Sequence, residues 1–347
     1  MNTPKTRDFL LDNYKALLIF LVVVGHFIEE GYDSNPFLYE LKWFIVSFHM
    51  PAFIFVSGYF SKKQTSPGKL MQKLIIPYLV YELMYYLLYT LILHKETKLY
   101  LLYPKFSLWY LMALFVWRLL TPYIRRIPAA IHMPFAILAG ILMGCSSMDD
   151  NFLSIPRIVV FYPFFLAGIH FNREWLTKYR NNITKVLAGL LLCLGGVFLY
   201  ADPIHRSLSP KIFYGRYNYE YLELSDMDGM CIRLLCYGIS FALTYLLMFL
   251  IPDRKIFCSS LGNRTMSIYL FHGLAYSSFK QATDLLEHIY TWWETLALFG
   301  FCVCLVWVFS RKPFVEFTNE VARIELPKGP RGPGKKYKRG KKGTCTF

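Results

Sequence analysis

Long apolar segments separated by short polar connections make up most of this chain. A membrane-spanning helix needs roughly 20 mostly apolar residues, and shorter segments also span where flanking side chains adapt. The pattern therefore predicts an all-α, polytopic membrane protein with about ten transmembrane helices. The predicted helices cover residues 15–30, 42–60, 74–93, 107–121, 132–147, 155–171, 183–200, 230–251, 265–280 and 292–310.

Composition and charge support this prediction and give it an orientation. The 347 residues are 55% hydrophobic and 18% charged, whereas soluble domains carry about 25% charged residues. Of the 38 Lys and Arg residues, 28 fall in the N-terminal segment and the segments that would share its side. Because cytosolic loops are enriched in Lys and Arg, we expect a multi-pass protein of the plasma membrane with both termini cytosolic.

A basic tail follows the predicted membrane domain. We expect residues 1–314 to form the transmembrane domain and residues 315–347 a disordered cytosolic tail. From Lys328 onward the tail is rich in Lys, Arg, Gly and Pro and contains no acid, a composition that does not fold alone. Anionic lipid is its expected partner. Nucleic acid is a weaker match for the net charge of +15, because no nucleic-acid-binding module accompanies the tail.

The sequence lacks motifs for metal binding and for nucleotide binding. Its eight histidines are scattered, and no two share the H-x-x-x-H spacing. Neither a P-loop nor a dinucleotide-binding fingerprint is present. We therefore predict no metal site and no ATP-driven transport.

The first predicted helix carries a stripe of ionisable residues. Lys15 and His26 are eleven positions apart, which returns to nearly the same helical face about 16 Å further along the axis. Glu29 and Glu30 follow His26 by three and four positions, so either is expected to reach its imidazole. A histidine oriented by a carboxylate suits general-base catalysis. The alternative is that Lys15 extends to the inner headgroups and the glutamates lie in outer water.

Polar residues on later helices are expected near this stripe. His49 should lie at a depth similar to that of His26, and Ser57 near the level of Lys15. Each also has a simpler explanation. His49 is then an interfacial histidine, and Ser57, with its neighbour Gly58, is part of a helix-packing contact. The basic loop after the second helix either sets topology or holds the phosphates of a cytosolic donor. Its lysines are Lys62, Lys63, Lys69 and Lys73.

Six motifs follow one another over roughly residues 8–310. They are Lys15 with Gly25-His26, His49-Met50-Pro51 with Ser57-Gly58-Tyr59, the lysine loop ending at Pro77, Ser107-Leu108-Trp109-Tyr110, the segment from Tyr162 to Gly168, and the segment from Gly262 to His272. In this order they resemble the membrane acyltransferase-3 family, most closely its fucose-4-O-acetylase-like branch.

The resemblance implies a membrane O-acyltransferase. It implies acetyl-CoA as the acyl donor, an extracytoplasmic or lipid-linked glycan as the acceptor, and Lys15 with His26 as the essential pair. We hypothesise that His26 is a general base or an acyl carrier, oriented by Glu29 or Glu30. The predicted donor-binding residues are Ser57 and the four loop lysines, and the predicted site-lining residues are His49, Trp109, Tyr269 and His272.

A transporter of a small metabolite or glycan is the alternative function. Such proteins commonly contain inverted repeats and helices broken near the middle of the membrane. This sequence shows no internal repeat, and its Pro and Gly residues lie mostly near the ends of the predicted helices. The sequence therefore favours the acyltransferase.

Overall fold

The structure is a computed structural model that describes residues 7–148, 152–201 and 207–324. Within these ranges the chain is helical and contains no strand, which confirms the all-α prediction. Eight of the described helical segments are long and apolar enough to cross a membrane. They are Phe9–Phe27, Pro36–Phe60, Pro67–Ile92, Phe106–Ile124, Phe152–His170, Asn182–Ala201, Asp226–Leu250 and Trp292–Phe309. The chain is therefore a multi-pass membrane protein.

A helix lies at each of the ten predicted positions. We number the α-helices in chain order: α1 (Phe9–Phe27), α2 (Pro36–Phe60), α3 (Pro67–Leu70), α4 (Ile76–Leu87), α5 (Trp109–Ile124), α6 (Ala129–Leu142), α7 (Ile155–His170), α8 (Arg173–Tyr179), α9 (Asn182–Ala201), α10 (Asp226–Leu250), α11 (Thr265–Ala282), α12 (Trp292–Phe309) and α13 (Lys312–Val321). Helix α6 is shorter than the eight long apolar segments, and α11 carries more polar residues than they do. A count of ten membrane spans stays a prediction.

Helix α1 begins at Phe9, six positions before the predicted start. The predicted start lies too far along the chain because Asp12 and Asn13 interrupt the apolar pattern. Both side chains are buried, and each has polar partners: Asp12 pairs with Lys15 at 3.1 Å, and Asn13 donates to the carbonyl of Pro252 at 2.8 Å. Buried polar groups that are hydrogen-bonded in this way are compatible with a helix inside the protein.

The protein has two ends, which we name by residues of α1. The Lys15 end contains the beginning of α1 and the end of α2, and the Glu29 end contains the end of α1 and the beginning of α2. The sequence predicts that the Lys15 end is cytosolic. Helix α1 contacts α2, α11 and α12, so its side chains lie inside the protein.

Helices α2 and α7 cross at two glycines. A Cβ atom added to Gly58 would lie 2.1 Å from the carbonyl oxygen of Phe165, and one added to Gly168 would lie 1.9 Å from that of Phe55. Neither distance leaves room for a side chain, so the two backbones are in direct contact. Small residues permit such close approach between membrane helices. This is the helix-packing contact that the sequence suggests at Ser57 and its neighbour Gly58.

We expect Gly58→Ala and Gly168→Ala each to lower the free energy of unfolding by about 1–3 kcal/mol, the usual cost of overpacking. The matched control is Gly189→Ala in α9, where an added Cβ meets nothing within 4 Å. Thermal unfolding of the purified protein in one detergent measures all three. If the Gly58 and Gly168 variants are as stable as the control, the two helices do not pack as described.

The predicted disordered tail begins with residues that are helical in the structure. Helix α13 spans Lys312–Val321, so the predicted domain boundary at residue 314 falls inside a helix. The apolar pattern ends with α12, which is why the sequence did not indicate this amphipathic helix. The predicted basic tail from residue 325 onward lies outside the described residues.

Candidate active site

A cavity of about 590 Å³ lies at the Glu29 end of the protein, and we call it the histidine cavity. Side chains from α1, α2, α7 and α11 line it, together with residues of the segment between α9 and α10. Its lining includes six of the residues that the sequence predicts for the site: His26, Glu29, Glu30, His49, Trp109 and Tyr269. Residues far apart in the sequence therefore meet in one place.

His26 lies in the last turn of α1 and is partly exposed to the cavity. Its ring centroid is 4.4 Å from that of Phe106 and 5.3 Å from that of His272. Aromatic neighbours on one side and the cavity on the other leave the imidazole accessible to a ligand. The predicted placement of His26 and His49 in a common site agrees with this geometry.

His49 and His272, the other two histidines that the sequence predicts for the site, each have Nδ1 next to a backbone carbonyl oxygen. Nδ1 of His49 lies 2.7 Å from the carbonyl oxygen of Ile45, and Nδ1 of His272 lies 3.1 Å from that of Ile268. Because a carbonyl oxygen only accepts, a neutral ring there carries its proton on Nδ1 and has Nε2 as an acceptor. Nε2 of His272 is buried and has no hydrogen-bond partner among the residues that the structure describes. An unsatisfied acceptor thus belongs to the ring beside His26.

Glu29 does not orient His26, contrary to the prediction. It forms an ion pair with Lys42, and its Oε2 accepts a hydrogen bond from the Tyr214 hydroxyl at 2.8 Å. The predicted contact requires the helix to continue through residue 29, but α1 ends at Phe27. Beyond that residue the helical spacing no longer applies, and Glu29 turns toward α2.

Glu30 does not orient His26 either, because its carboxylate binds other side chains. Its Oε1 accepts hydrogen bonds from the Lys280 ammonium at 2.5 Å and from the Tyr276 hydroxyl at 2.6 Å. Burial acts to raise the pKa of the Glu30 carboxyl, but these two hydrogen bonds outweigh it and hold that pKa below its ordinary value. Glu30 is therefore an ionised group that connects α1 to α11.

Lys42 is a site residue that the sequence analysis missed. It is 2% exposed, and its Nζ donates to Glu29 and to the carbonyl oxygen of Gly25 at 2.7 Å. That carbonyl is one of the last four in α1, which have no partner within the helix. Lys42 therefore fixes the turn that carries His26. A lysine at the apolar start of α2 is a usable signal, but the charge distribution counts it only among the ten Lys and Arg residues of the opposite side.

Arg157 was missed for a similar reason. It lies on α7, is 7% exposed and lines the histidine cavity. Its guanidinium carbon is 5.1 Å from the centroid of the Trp109 ring. Charged residues within membrane helices are costly and usually functional, so an arginine in this apolar segment was a detectable signal.

A second cavity, of about 200 Å³, lies at the Lys15 end, and we call it the lysine cavity. Lys15 and Ser57 line it, and the Ser57 hydroxyl is hydrogen-bonded to that of Tyr110. Lys15 and His26 therefore lie on one helix face but in different cavities. The resemblance implies that Lys15 and His26 are an essential pair, and their separation along α1 means that the two side chains would contact different parts of a ligand.

Tyr269 lines both cavities. Its hydroxyl donates to the carbonyl oxygen of Ser107, and its ring centroid lies 5.5 Å from that of Tyr110. The side chain is 4% exposed. Tyr269 thus stands between the space that contains His26 and the space that contains Lys15.

The four predicted donor-binding lysines of the loop after α2 lie outside the lysine cavity, unlike Lys15. Lys63, Lys69 and Lys73 are exposed and absent from both cavity linings. Lys62 donates to the carbonyl oxygen of Phe171 and also lies outside the linings.

Arg118 is the cation that the sequence analysis missed at this end. It lines the lysine cavity, and its Nη2 donates to the Thr65 hydroxyl at 3.0 Å. The residue lies on α5 and reaches the segment after α2. Only the packing of α5 reveals its position, since nothing in the local sequence connects it to Lys15.

Residues 9–311 match the family model described as an acyltransferase domain. No curated protein and no solved structure matches the chain. The match confirms the resemblance stated from the motifs, while the fucose-4-O-acetylase-like branch stays a prediction. Because the matched residues make up most of the sequence, this chain belongs to the acyltransferase-3 family and is a membrane acyltransferase.

Proposed function

We propose that this protein transfers an acetyl group from acetyl-coenzyme A to a hydroxyl of an extracytoplasmic or lipid-linked glycan. The observation that carries the proposal is the position of Tyr269 between two cavities, one with His26 and one with Lys15. A donor bound at the Lys15 end would pass Tyr269, which lines both cavities, to bring its thioester to His26. The acceptor hydroxyl would reach His26 from the Glu29 end.

The lysine cavity supports binding of a coenzyme A thioester. Lys15 and Arg118 provide positive charge at its wall, which suits the phosphates of the donor. Its apolar lining, formed by Phe53, Leu114 and Met266 among others, suits an extended chain such as the pantetheine arm. Lys62, Lys63, Lys69 and Lys73 lie on the same end of the protein and would attract the anionic donor at longer range.

His26 would supply acid–base chemistry for the transfer. As a general base it accepts the proton of the acceptor hydroxyl while the oxygen attacks the thioester carbonyl. The carbon–sulfur bond then breaks, the acetyl ester forms, and the sulfur leaves as a thiol with the proton from His26. In the covalent variant, the His26 imidazole attacks the thioester carbonyl, the carbon–sulfur bond breaks and coenzyme A leaves as the thiolate. The acceptor hydroxyl then attacks the acetyl-imidazolium, the ester forms as the bond to His26 breaks, and the hydroxyl proton passes to the thiolate. His272, with an unsatisfied Nε2 beside His26, is the partner that could orient the imidazole in either route.

The tetrahedral intermediate of this reaction carries a negatively charged oxygen. Hydrogen-bond donors and cations aimed at such an oxygen stabilise it strongly in a site that excludes water. Arg157 lines the histidine cavity and offers a guanidinium, whereas the single hydroxyl proton of Tyr269 is donated to the carbonyl oxygen of Ser107. We assign the stabilisation of the oxyanion to Arg157.

We expect Arg118→Gln to raise KM for acetyl-coenzyme A by about tenfold, because a hydrogen bond to a charged group contributes about 1.5–3 kcal/mol, while kcat changes little. Arg126→Gln is the matched control, since Arg126 is exposed just after the same helix and lines neither cavity. Initial rates at several donor concentrations measure both variants. An unchanged KM in Arg118→Gln would remove the lysine cavity as the donor site.

The proposed function is tested with the purified protein in liposomes. Acetyl-labelled coenzyme A is supplied together with a mixture of cell-envelope glycans, and loss of the thioester and label on glycan are followed. We expect label on the glycans. Absence of thioester loss, combined with accumulation of a glycan or metabolite inside the vesicles without donor, would favour the transporter instead.

A further inference from the structure

Glu82 is a buried carboxylate that the proposed reaction does not use. It lies on α4, within one of the long apolar segments, and is 0% exposed. Its Oε1 accepts a hydrogen bond from the backbone N–H of Lys105 at 2.6 Å. Ionisable residues inside membrane helices are costly and usually functional. The role of Glu82 should therefore be found in the segment that follows Lys105.

The residue after Lys105 has a strained backbone. Phe106 has a φ of +49° and opens the short helical turn, Phe106–Leu108, that leads into α5. Bulky residues rarely adopt this left-handed conformation. It persists only where the surrounding structure enforces it, and strain of this kind is concentrated at functional sites.

Hydrogen bonds from buried side chains hold the chain on both sides of Phe106. Glu82 accepts from the N–H of the residue before it, and the Tyr269 hydroxyl donates to the carbonyl oxygen of Ser107, the residue after it. One of these side chains belongs to α4 and the other to α11. Together they fix the backbone that carries the Phe106 ring.

The ring of Phe106 lines the histidine cavity next to His26. Its centroid lies 4.4 Å from that of His26 and 5.0 Å from that of Tyr276, with which it stacks. The backbone of α11 also touches the ring, because a Cβ atom added to Gly273 would lie 2.7 Å from Cδ1 of Phe106. The ring is therefore confined, and it limits the positions that the imidazole can take.

Resting on the proposed function, we infer that Glu82 is a positioning residue for His26 and acts through the strained backbone of Phe106. Without an acceptor on α4, one of the two hydrogen bonds that fix Phe106 is lost. The backbone then relaxes and the ring moves away from His26. The imidazole gains orientations that do not suit attack on the thioester, and a misplacement of about 1 Å lowers a rate by about 10².

Two substitutions of Glu82 separate its reach from its charge. Glu82→Asp keeps the charge but is one methylene too short to bind the N–H of Lys105, and we expect kcat to fall by about 10² with KM for acetyl-coenzyme A unchanged. Glu82→Gln keeps an acceptor oxygen and removes the charge that acts on the Lys105 ammonium, and should retain most of the wild-type kcat. An unchanged kcat in Glu82→Asp, or an equal fall in Glu82→Gln, would overturn the inference.

The matched control is Glu294→Asp. Glu294 also accepts hydrogen bonds from backbone N–H groups, those of Tyr290 and Thr291 at the start of α12, but it lines neither cavity. Only Tm should fall in this variant. A purely structural role for Glu82 would give the same result in Glu82→Asp, a lower Tm with kcat unchanged.

Chemical labelling of His26 tests the inference without turnover. Diethyl pyrocarbonate modifies neutral imidazoles, and mass spectrometry follows the rate at each histidine. We expect His26 to react severalfold faster in Glu82→Asp and in Phe106→Leu, and the double variant to react no faster than Phe106→Leu alone, because Glu82 acts through that ring. Additive effects in the double variant, or a wild-type rate in Phe106→Leu, would overturn the inference. Absence of thioester loss in the wild type overturns the proposed function, while the labelling rates still decide the role of Glu82.

Discussion

Replacing His26 with alanine is expected to lower kcat for acetyl transfer by a factor of about 10²–10⁴, the usual contribution of a positioned acid–base group. The imidazole lies at the edge of the histidine cavity, next to Phe106 and His272. Alanine leaves α1 intact because it is a good helix former. The donor should still bind, since the lysine cavity lies at the other end of α1.

The measurement for His26→Ala combines transfer rates with donor binding. His288→Ala is the matched control, because His288 is exposed and outside both cavities. If His26→Ala retains more than about a tenth of the wild-type kcat, general-base catalysis of the usual size is excluded. A trapped acetyl group on His26 in the wild type would distinguish the covalent route from direct attack.

Lys42→Met is expected to have the largest effect on stability. Removing one member of a buried ion pair costs about 3–5 kcal/mol, because the other charge remains without a partner. The side chains of Lys42 and Glu29 are 3% and 26% exposed, so water at Glu29 places the expected loss near the lower value. The carbonyl oxygen of Gly25 also loses its donor. Because that residue precedes His26, kcat should fall together with Tm.

A second substitution separates the charge effect from the packing effect at this site. In the double variant Lys42→Met, Glu29→Gln no unpaired carboxylate remains, so part of the lost Tm should return. Lys312→Met is the control, since Lys312 forms an exposed pair with Glu316 at 3.6 Å, and such pairs contribute about 0–1 kcal/mol. If Lys42→Met is as stable as Lys312→Met, then Lys42 does not hold the end of α1.

Hydropathy predicts the helices because a segment in lipid has no water to bind its backbone N–H and C=O groups. An α-helix satisfies these groups with hydrogen bonds inside the segment. The same pattern does not show which polar residues a helix can contain, as the early start of α1 shows: Asp12 pairs with Lys15 of the same helix, and Asn13 donates to the carbonyl oxygen of the distant Pro252. Amphipathic α13 was missed because half of its positions are polar. Hydropathy therefore locates membrane helices better than it locates their ends.

The candidate site was predictable where the residues belong to family motifs. His26, His49, Trp109 and Tyr269 were all named from the sequence, and all line one cavity. The orientation of His26 was not predictable, because it depends on where α1 ends rather than on spacing. Lys42, Arg118 and Arg157 were also missed. Lys42 and Arg157 are detectable in the sequence as charged residues in apolar segments, whereas the position of Arg118 beside Lys15 depends on helix packing, which a single sequence does not reveal.

The proposed reaction requires above all that the acyl group pass from the Lys15 end to the Glu29 end. The direct test reconstitutes the protein in sealed liposomes, with a cleavable C-terminal tag that reports its orientation. Labelled acetyl-coenzyme A is placed on one side only and an impermeable glycan acceptor on the other. We predict label on the acceptor only when the donor faces the Lys15 end, with free coenzyme A released on the donor side. Transfer that requires donor and acceptor on the same side would contradict the account.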